Sequence, residues 1–208
     1  FAYGGNMGVS VLTATENPID VISLAAGTSY QKTNVSYKRV ESCVKHRHTS
    51  VLEHATITFR IDEISRSCSH QLVRHRLASF VQESQRYCKY NLNNDIWYVI
   101  PDEIAKDTKK VQAFKNAMNF AGQAYMKAIA EGVRAEDARY MLPEATKTAL
   151  TMTMNAREFF SLLNLRLSPK AQTEIRKLAQ DMYLAAREYN GQWAQLMTLY
   201  DEVQDLIL

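Results

Sequence analysis

Between Gln71 and Tyr87 the chain concentrates side chains that handle anions: Gln71, Arg74, His75, Arg76, Ser79, Gln82, Glu83, Ser84, Gln85 and Arg86. Read as helix through its first half, the stretch puts Gln71, Arg74 and His75 at i, i+3 and i+4, on one face. Arg76 then lies at the helix end, where the chain turns into a polar loop. A turn with free backbone N–H groups, a hydroxyl and a guanidinium suits a phosphate. Each charge-assisted hydrogen bond there contributes roughly 1.5–3 kcal/mol. A solvated basic face would use the same arginines. Against it stand the tight Arg74-His75-Arg76 cluster, with no acid before Glu83, and a loop of small hydroxyls in place of lysines.

A second polar stripe comprises Asn155, Arg157, Ser161, Asn164 and Arg166. Arg157, Ser161 and Asn164 stand at i, i+4 and i+7 on one helical face, beside an apolar face of Phe160, Leu163 and Leu167. A packed face next to Arg and Asn suits ligand contact; a capped surface helix would look the same. Arg139 stands alone before Met-Leu-Pro and carries little weight by itself. His46, His48 and His54 flank Ser50 and Glu53. Their spacing matches no metal motif such as HExxH, so no metal is expected. Cys43, Cys68 and Cys88 show no C-x-x-C spacing, which predicts reduced thiols in a cytoplasmic setting.

The elements that must position these groups follow from periodicity and punctuation. Strands are predicted at 9–14, 52–61 and 146–154, where Thr, Val, Ile and Phe alternate with their neighbours. Helices are predicted at 18–26 (Asn17 as cap, Pro18 first, Gly27 as stop), 37–45, 65–74 with Ser65 as cap, 102–132 with one break, 135–141, and 156–165. A further helix, capped by Ser168-Pro169, runs to 189, and a last one follows Gly191 to 204. Residues 76–100 read mostly as loop. The sum is an α+β fold, a small, mostly antiparallel sheet flanked by helices, in a single domain over 1–208.

Net charge is +3 over 208 residues, with Gly and Pro scarce at 7 and 4. The basic residues form no single run, so charge alone does not argue for nucleic acid. The opening residues 1–6 lack a basic segment followed by an apolar stretch, so no signal peptide is expected. No apolar run approaches the roughly 18 residues needed to span a bilayer.

The motifs, taken together, resemble one family. Arg74-His75-Arg76, seven residues and Ser84 form the RHR-x7-S signature of flavin-dependent thymidylate synthases, the ThyX family. Ala25-Ala26-Gly27-Thr28-Ser29-Tyr30 resembles the family's AARVSF-like segment. His48-Thr49-Ser50-Val51-Leu52-Glu53-His54 resembles its H-x-S/T-x-x-E-H segment, and Ala138-Arg139-Tyr140-Met141-Leu142-Pro143 its AR-x-x-LP segment. Asn155-Ala156-Arg157 and Asn164-Leu165-Arg166 resemble its NAR and NLR segments, with Ala171-Gln172-x-Glu174-Ile175 following. The matches come in family order across roughly residues 20–180.

The resemblance implies an α/β core flanked by helices, assembled as a homotetramer with active sites at subunit interfaces. It implies reductive methylation of dUMP to dTMP, with 5,10-methylenetetrahydrofolate as methylene donor and NADPH-reduced FAD as hydride source. For FAD it implies contacts from Ser29, Ser50, Glu53, Arg74, His75, Arg76, Gln82, Asn155, Arg157 and Ser161. For dUMP it implies Gln71, Arg74, Gln82, Glu83, Ser84, Gln85, Arg86, Arg139 and Arg166, with Ser84, Arg86 and Arg139 at the phosphate. Arg166 at the uracil and His48 near flavin and folate are the implied catalytic pair. Gly27, Ser161 and Lys170 depart from the family's more usual Arg, Asn and His. The three cysteines lie outside the matched positions, so no cysteine nucleophile is expected. Ser84 has no evident adjacent base and is expected to bind, not attack. Neither a nucleic-acid nor a membrane partner is implied. The alternative is a non-catalytic nucleic-acid-binding module that uses the arginines and the Tyr and Phe rings as platforms.

Overall fold

Alternation of the sequence is clearest in Lys147–Asn155, where Thr148, Leu150, Met152 and Met154 are buried and their neighbours are not. That period of two makes this segment a strand with one face in a core. In the computed structural model, which describes residues 8–90, 92 and 97–205, it is β4 of a four-stranded antiparallel sheet. The others are β1 (Gly8–Ala14), β2 (Thr56–Ser65) and β3 (Ala78–Gln82), and the sheet order is β1-β2-β4-β3. The helices are α1 (Pro18–Thr28), α2 (Tyr37–Lys45), α3 (Arg66–Leu72), α4 (Asp102–Ala105), α5 (Thr108–Ala130), α6 (Ala135–Ala138), α7 (Ala156–Arg166), α8 (Thr173–Tyr189) and α9 (Gly191–Val203). Short 3-10 turns cover Thr49–His54 and Arg139–Met141. The readings made at 1–6, 91 and 93–96 lie outside the described residues.

The chain divides into two units. Among the described residues, the first comprises Gly8, Ile61–Leu72 and those of 81–150; the second comprises Val9–Arg60, Val73–Phe80 and 151–205. In the first, Leu92, Trp97, Tyr98, Met118, Tyr125, Ala128 and Ala138 form a buried cluster, with Trp97 edge-on to Tyr98 at 5.1 Å. The second buries Ile22, Val44, Leu52, Phe59, Phe159, Phe160, Met182, Trp193 and Tyr200. Phe59 meets Phe159 at 5.3 Å and Phe160 meets Tyr200 at 5.1 Å. Each such ring, fully buried, stabilises its unit by about 1.5–3 kcal/mol.

The structure corrects several local expectations. The strand expected at 52–61 begins only at Thr56: the 3-10 turn claims Thr49–His54, with Leu52 fully buried as its anchor, and the strand continues to Ser65. Within β2 the buried side shifts from odd positions (Ile57, Phe59, Ile61) to Ile64, and Glu63 sits at φ 65. That is the signature of a β-bulge, and there the Glu63 carboxylate pairs with the Lys147 ammonium. Gly27 does not stop α1, which runs to Thr28. A Cβ on Gly27 would lie 2.5 Å from the Lys32 carbonyl oxygen and 2.9 Å from Arg39 Nη1, so close approach explains the glycine. Asn17 makes no side-chain cap bond, leaving Pro18 to start the helix.

The helix expected at 65–74 ends at Leu72, so Gln71, Arg74 and His75 share no helical face. With β3 starting at Ala78, residues 73–77 are needed as connection and cannot add another turn. Ser65 caps α3 as expected, its Oγ accepting from Cys68 N at 2.9 Å. The strand β3 was hidden in a segment read as loop; it is short, and its outward Val81 is 77% exposed. Finally, α8 starts at Thr173, not at Ser168-Pro169. Ser168 instead organises the preceding turn, its Oγ accepting from Lys170 N and its carbonyl from Ala171 N.

Candidate active site

Helix α7 starts because Asn155, the last residue of β4, caps it from an extended backbone. Asn155 Oδ1 accepts from Glu158 N at 2.9 Å, and Ala156 N donates to Ala55 O. Phe159, Phe160, Leu162 and Leu163 bury one side of the helix, which fixes its rotation. Arg157 and Ser161 are therefore exposed, and Arg166 falls at the last turn. Arg157 Nη1 meets Glu53 Oε1 of the 3-10 turn at 2.5 Å across 104 residues of sequence. Both side chains are nearly half exposed, at 49% and 45%. Exposed pairs of this kind contribute only about 0–1 kcal/mol, so the pairing positions two polar groups more than it stabilises the fold.

Behind that surface lies a buried chain of hydrogen bonds. His75 Nδ1 is 3.2 Å from Glu158 Oε1, and Arg166 Nε donates to His75 Nε2 at 3.0 Å. His75 and Glu158 are 5% and 9% exposed at the side chain. Burial, and then the Arg166 guanidinium, pushes the His75 imidazole down to about 4; burial alone pushes the Glu158 carboxyl up. Both effects follow from the cost of holding charge away from water. Both ring nitrogens of His75 are thus engaged by protein, and the ring supports Arg166.

Ser161, Asn164, Leu165, Arg166, Ser168, Lys170 and Ala171 line a cavity of about 580 Å³. That is a volume suited to a small organic ligand. Arg74 and Arg76 are exposed and form no ion pair among the described residues. Ser29 follows α1 and Ser50 lies in the 3-10 turn, both exposed, as is His48, which precedes that turn. Among the described residues, no group of three or more His, Cys, Asp or Glu is placed to hold a metal.

The first unit carries the other candidates. Gln82 closes β3, its amide Nε2 donating to Ser69 Oγ at 2.8 Å and Thr148 Oγ1 at 3.2 Å. Glu83 N donates to Ala149 O, and Arg66 Nη2 donates to Glu83 O at 2.8 Å. Ser84 then builds a turn: its Oγ accepts from Arg86 N, and its carbonyl from Tyr87 N and Cys88 N. The backbone donors of Arg86, Tyr87 and Cys88 are therefore spent inside the turn, leaving anion binding here to side chains. Arg86 Nη2 reaches Glu136 Oε2 at 3.2 Å, and Arg139 Nε donates to Glu136 O at 3.1 Å. One residue thus gathers two arginines that are far apart in sequence, and Arg134 adds a third through Glu136 Oε1 at 2.8 Å. Gln71 sits half-buried on α3 and Gln85 half-buried in the turn.

Sequence reasoning missed Glu158, Glu136 and Arg66. Glu158 left a readable signal: an acid inside the apolar run of an amphipathic helix is anomalous unless paired. Its place in the first turn after Asn155 disguised it as an ordinary helix-start acid. Glu136 and Arg66 left none.

Comparison with known proteins now gives these clusters a family. The chain matches the family described as "Thymidylate synthase complementing protein" over residues 10–189. It is 40% identical over 194 residues to the flavin-dependent thymidylate synthase of Pyrococcus abyssi, covering 86% of this chain and 80% of that one. It is 39% identical over 187 residues to that of Geobacter sulfurreducens, covering 85% and 80%. Thymidylate Synthase X of Helicobacter pylori, solved with FAD and dUMP, superposes with a TM-score of 0.75 at 26% identity, covering 96% of this chain and 99% of that one. The chain belongs to the flavin-dependent thymidylate synthase family.

Proposed function

We infer that this chain is an enzyme of that family's reaction: a methyltransferase that converts dUMP to dTMP with flavin-carried electrons. Membership across residues 10–189, at about 40% identity to curated synthases, carries this reading. The donor set fits the flavin nucleotide. Exposed Arg74 and Arg76, without ion pairs among the described residues, and the Arg157–Glu53 pair that solvent already weakens, suit a diphosphate-bearing ligand. When bound, reduced FAD supplies the hydride, NADPH is its reductant, and 5,10-methylenetetrahydrofolate supplies the carbon.

The chain's own residues bind and orient, since the cofactor carries the difficult step. Ser29, Ser50, Glu53, Arg74, Arg76, Gln82, Asn155, Arg157 and Ser161 serve FAD, with His75 bracing from behind. Gln71, Gln82, Glu83 and Gln85 serve dUMP, and Ser84, Arg86 and Arg139 its phosphate. Arg166 serves the pyrimidine, where a fixed cation stabilises negative charge developing on its carbonyls, and His48 serves the flavin and folate side. The chain works as one synthase domain over 1–208, in a homotetramer in the cytoplasm. Among the described residues no helix is long and apolar enough to cross a membrane. The nucleic-acid-binding alternative is not favoured.

Purified protein tests the reading: it should be yellow with the absorption of oxidised flavin, and should form dTMP from dUMP, methylenetetrahydrofolate and NADPH. A colourless protein that makes no dTMP after FAD is added, yet binds DNA with a steep salt dependence, would reverse it.

A further inference from the structure

We propose that Glu158 and His75 are positioning residues for Arg166: Glu158 fixes the tautomer of the imidazole, and the imidazole's Nε2 lone pair fixes the plane of the guanidinium lining the cavity. The proposal rests on the reading that Arg166 serves the pyrimidine.

An arginine stays protonated throughout the accessible pH range, so its Nε is always a donor. The 3.0 Å contact from Arg166 Nε therefore requires a bare Nε2 on His75. A neutral imidazole with a bare Nε2 carries its proton on Nδ1, the atom that faces Glu158 Oε1 at 3.2 Å. Glu158 offers only oxygen, so it accepts that proton's hydrogen bond and disfavours the other tautomer. The tautomer is thus dictated at both ends.

Burial holds the arrangement in its neutral state. His75 is 5% exposed, and its imidazole, pushed down to about 4, stays uncharged at neutral pH. Holding Nε constrains the whole guanidinium, because Nε and both Nη atoms share one conjugated plane. Glu158 and Arg166 lie on the same helix, α7, and His75 bridges them from the connection between α3 and β3. Helix α7 thus supplies both the arginine and the group that orients its holder. A buried histidine serving packing alone would hold the connection against α7 but would not need one particular tautomer.

Glu158→Leu keeps bulk and removes the acceptor. It should lower kcat/KM for dUMP about 30-fold, in line with the steep cost of small misplacements in a site, while flavin content stays normal. Glu158→Gln retains an oxygen for Nδ1–H and should recover activity to within about 3-fold of the parent. Nitrogen NMR of the parent imidazole should show a protonated Nδ1 and a bare Nε2 at neutral pH. The proposal is overturned if folded Glu158→Leu keeps kcat/KM within about 3-fold, or if Glu158→Gln is as poor as Glu158→Leu. If Glu158→Leu does not fold, the NMR result decides: a protonated Nε2 overturns it. Arg166→Ala is the control. If it leaves dUMP affinity and turnover unchanged, the assignment of Arg166 to the pyrimidine has failed. If Arg166→Ala is crippled while Glu158→Leu is not, the positioning role alone has failed.

Discussion

The two units hold their arginines in opposite ways. In the second, Arg166 is braced by a nearly dry chain, Glu158 to His75 to guanidinium, anchored on a helix whose rotation is set by buried phenylalanines. In the first, Arg86, Arg134 and Arg139 gather on one residue, Glu136, from a turn and short helices, with Arg86 53% exposed. A buried brace fixes direction, because solvent cannot substitute for its hydrogen bonds. The Glu136 carboxylate, shared by the exposed guanidiniums of Arg86 and Arg134, fixes mainly charge balance, because water competes at the arginines and each pair contributes little. The brace at Arg166 suits transition-state charge at a defined atom; the arginines on Glu136 suit a rotating phosphate.

The largest effect that sharpens this contrast comes from a pair of truncations. Arg86→Ala should weaken dUMP binding about 100-fold, the loss of charge-assisted hydrogen bonds each contributing roughly 1.5–3 kcal/mol, with FAD affinity unchanged within about 2-fold. Glu53→Ala should do the reverse, weakening FAD about 10-fold and sparing dUMP. Titration of each ligand reads this, and equal losses of both ligands in both variants would break the contrast.

Next in size is pH dependence. His75 is held below its ordinary value, so between about 6.5 and 4 the unfolded chain binds the proton that the folded chain refuses. Stability contributed here is full above about 6.5 and falls as pH drops toward 4. Glu158, pushed up by burial, titrates with the opposite sign and offsets part of it. A net loss smaller than the roughly 3 kcal/mol of the histidine alone is expected, visible in denaturant midpoints. His75→Gln should flatten the curve across that window; an unchanged slope would count against a buried neutral imidazole.

The helix that carries the second unit's candidate groups is legible in the chain. Arg157, Ser161 and Asn164 fall on α7 as their i, i+4, i+7 spacing requires, and Asn155 caps the helix. The RHR cluster stands out in the sequence for its residue types, but its local structure does not. Local propensity favoured helix through Arg74, while the need to reach β3 at Ala78 ended it at Leu72. Gly27 looks like a helix stop in sequence because a single sequence shows no tertiary neighbour; the Lys32 carbonyl that demands a glycine is visible only in space. Glu136 was unreadable for the same reason, since nothing local links it to Arg86, 50 residues away.

The most direct test of the account is a structure of this protein with FAD and dUMP bound. The dUMP phosphate oxygens should lie within hydrogen-bond distance of Arg86 and Ser84, the flavin diphosphate on Arg74, Arg76 or Arg157, and Arg166 Nε should stay on His75 Nε2 while its Nη atoms meet a pyrimidine carbonyl. Ligands held by other residues, or Arg166 swung away from His75 in the bound state, would contradict it.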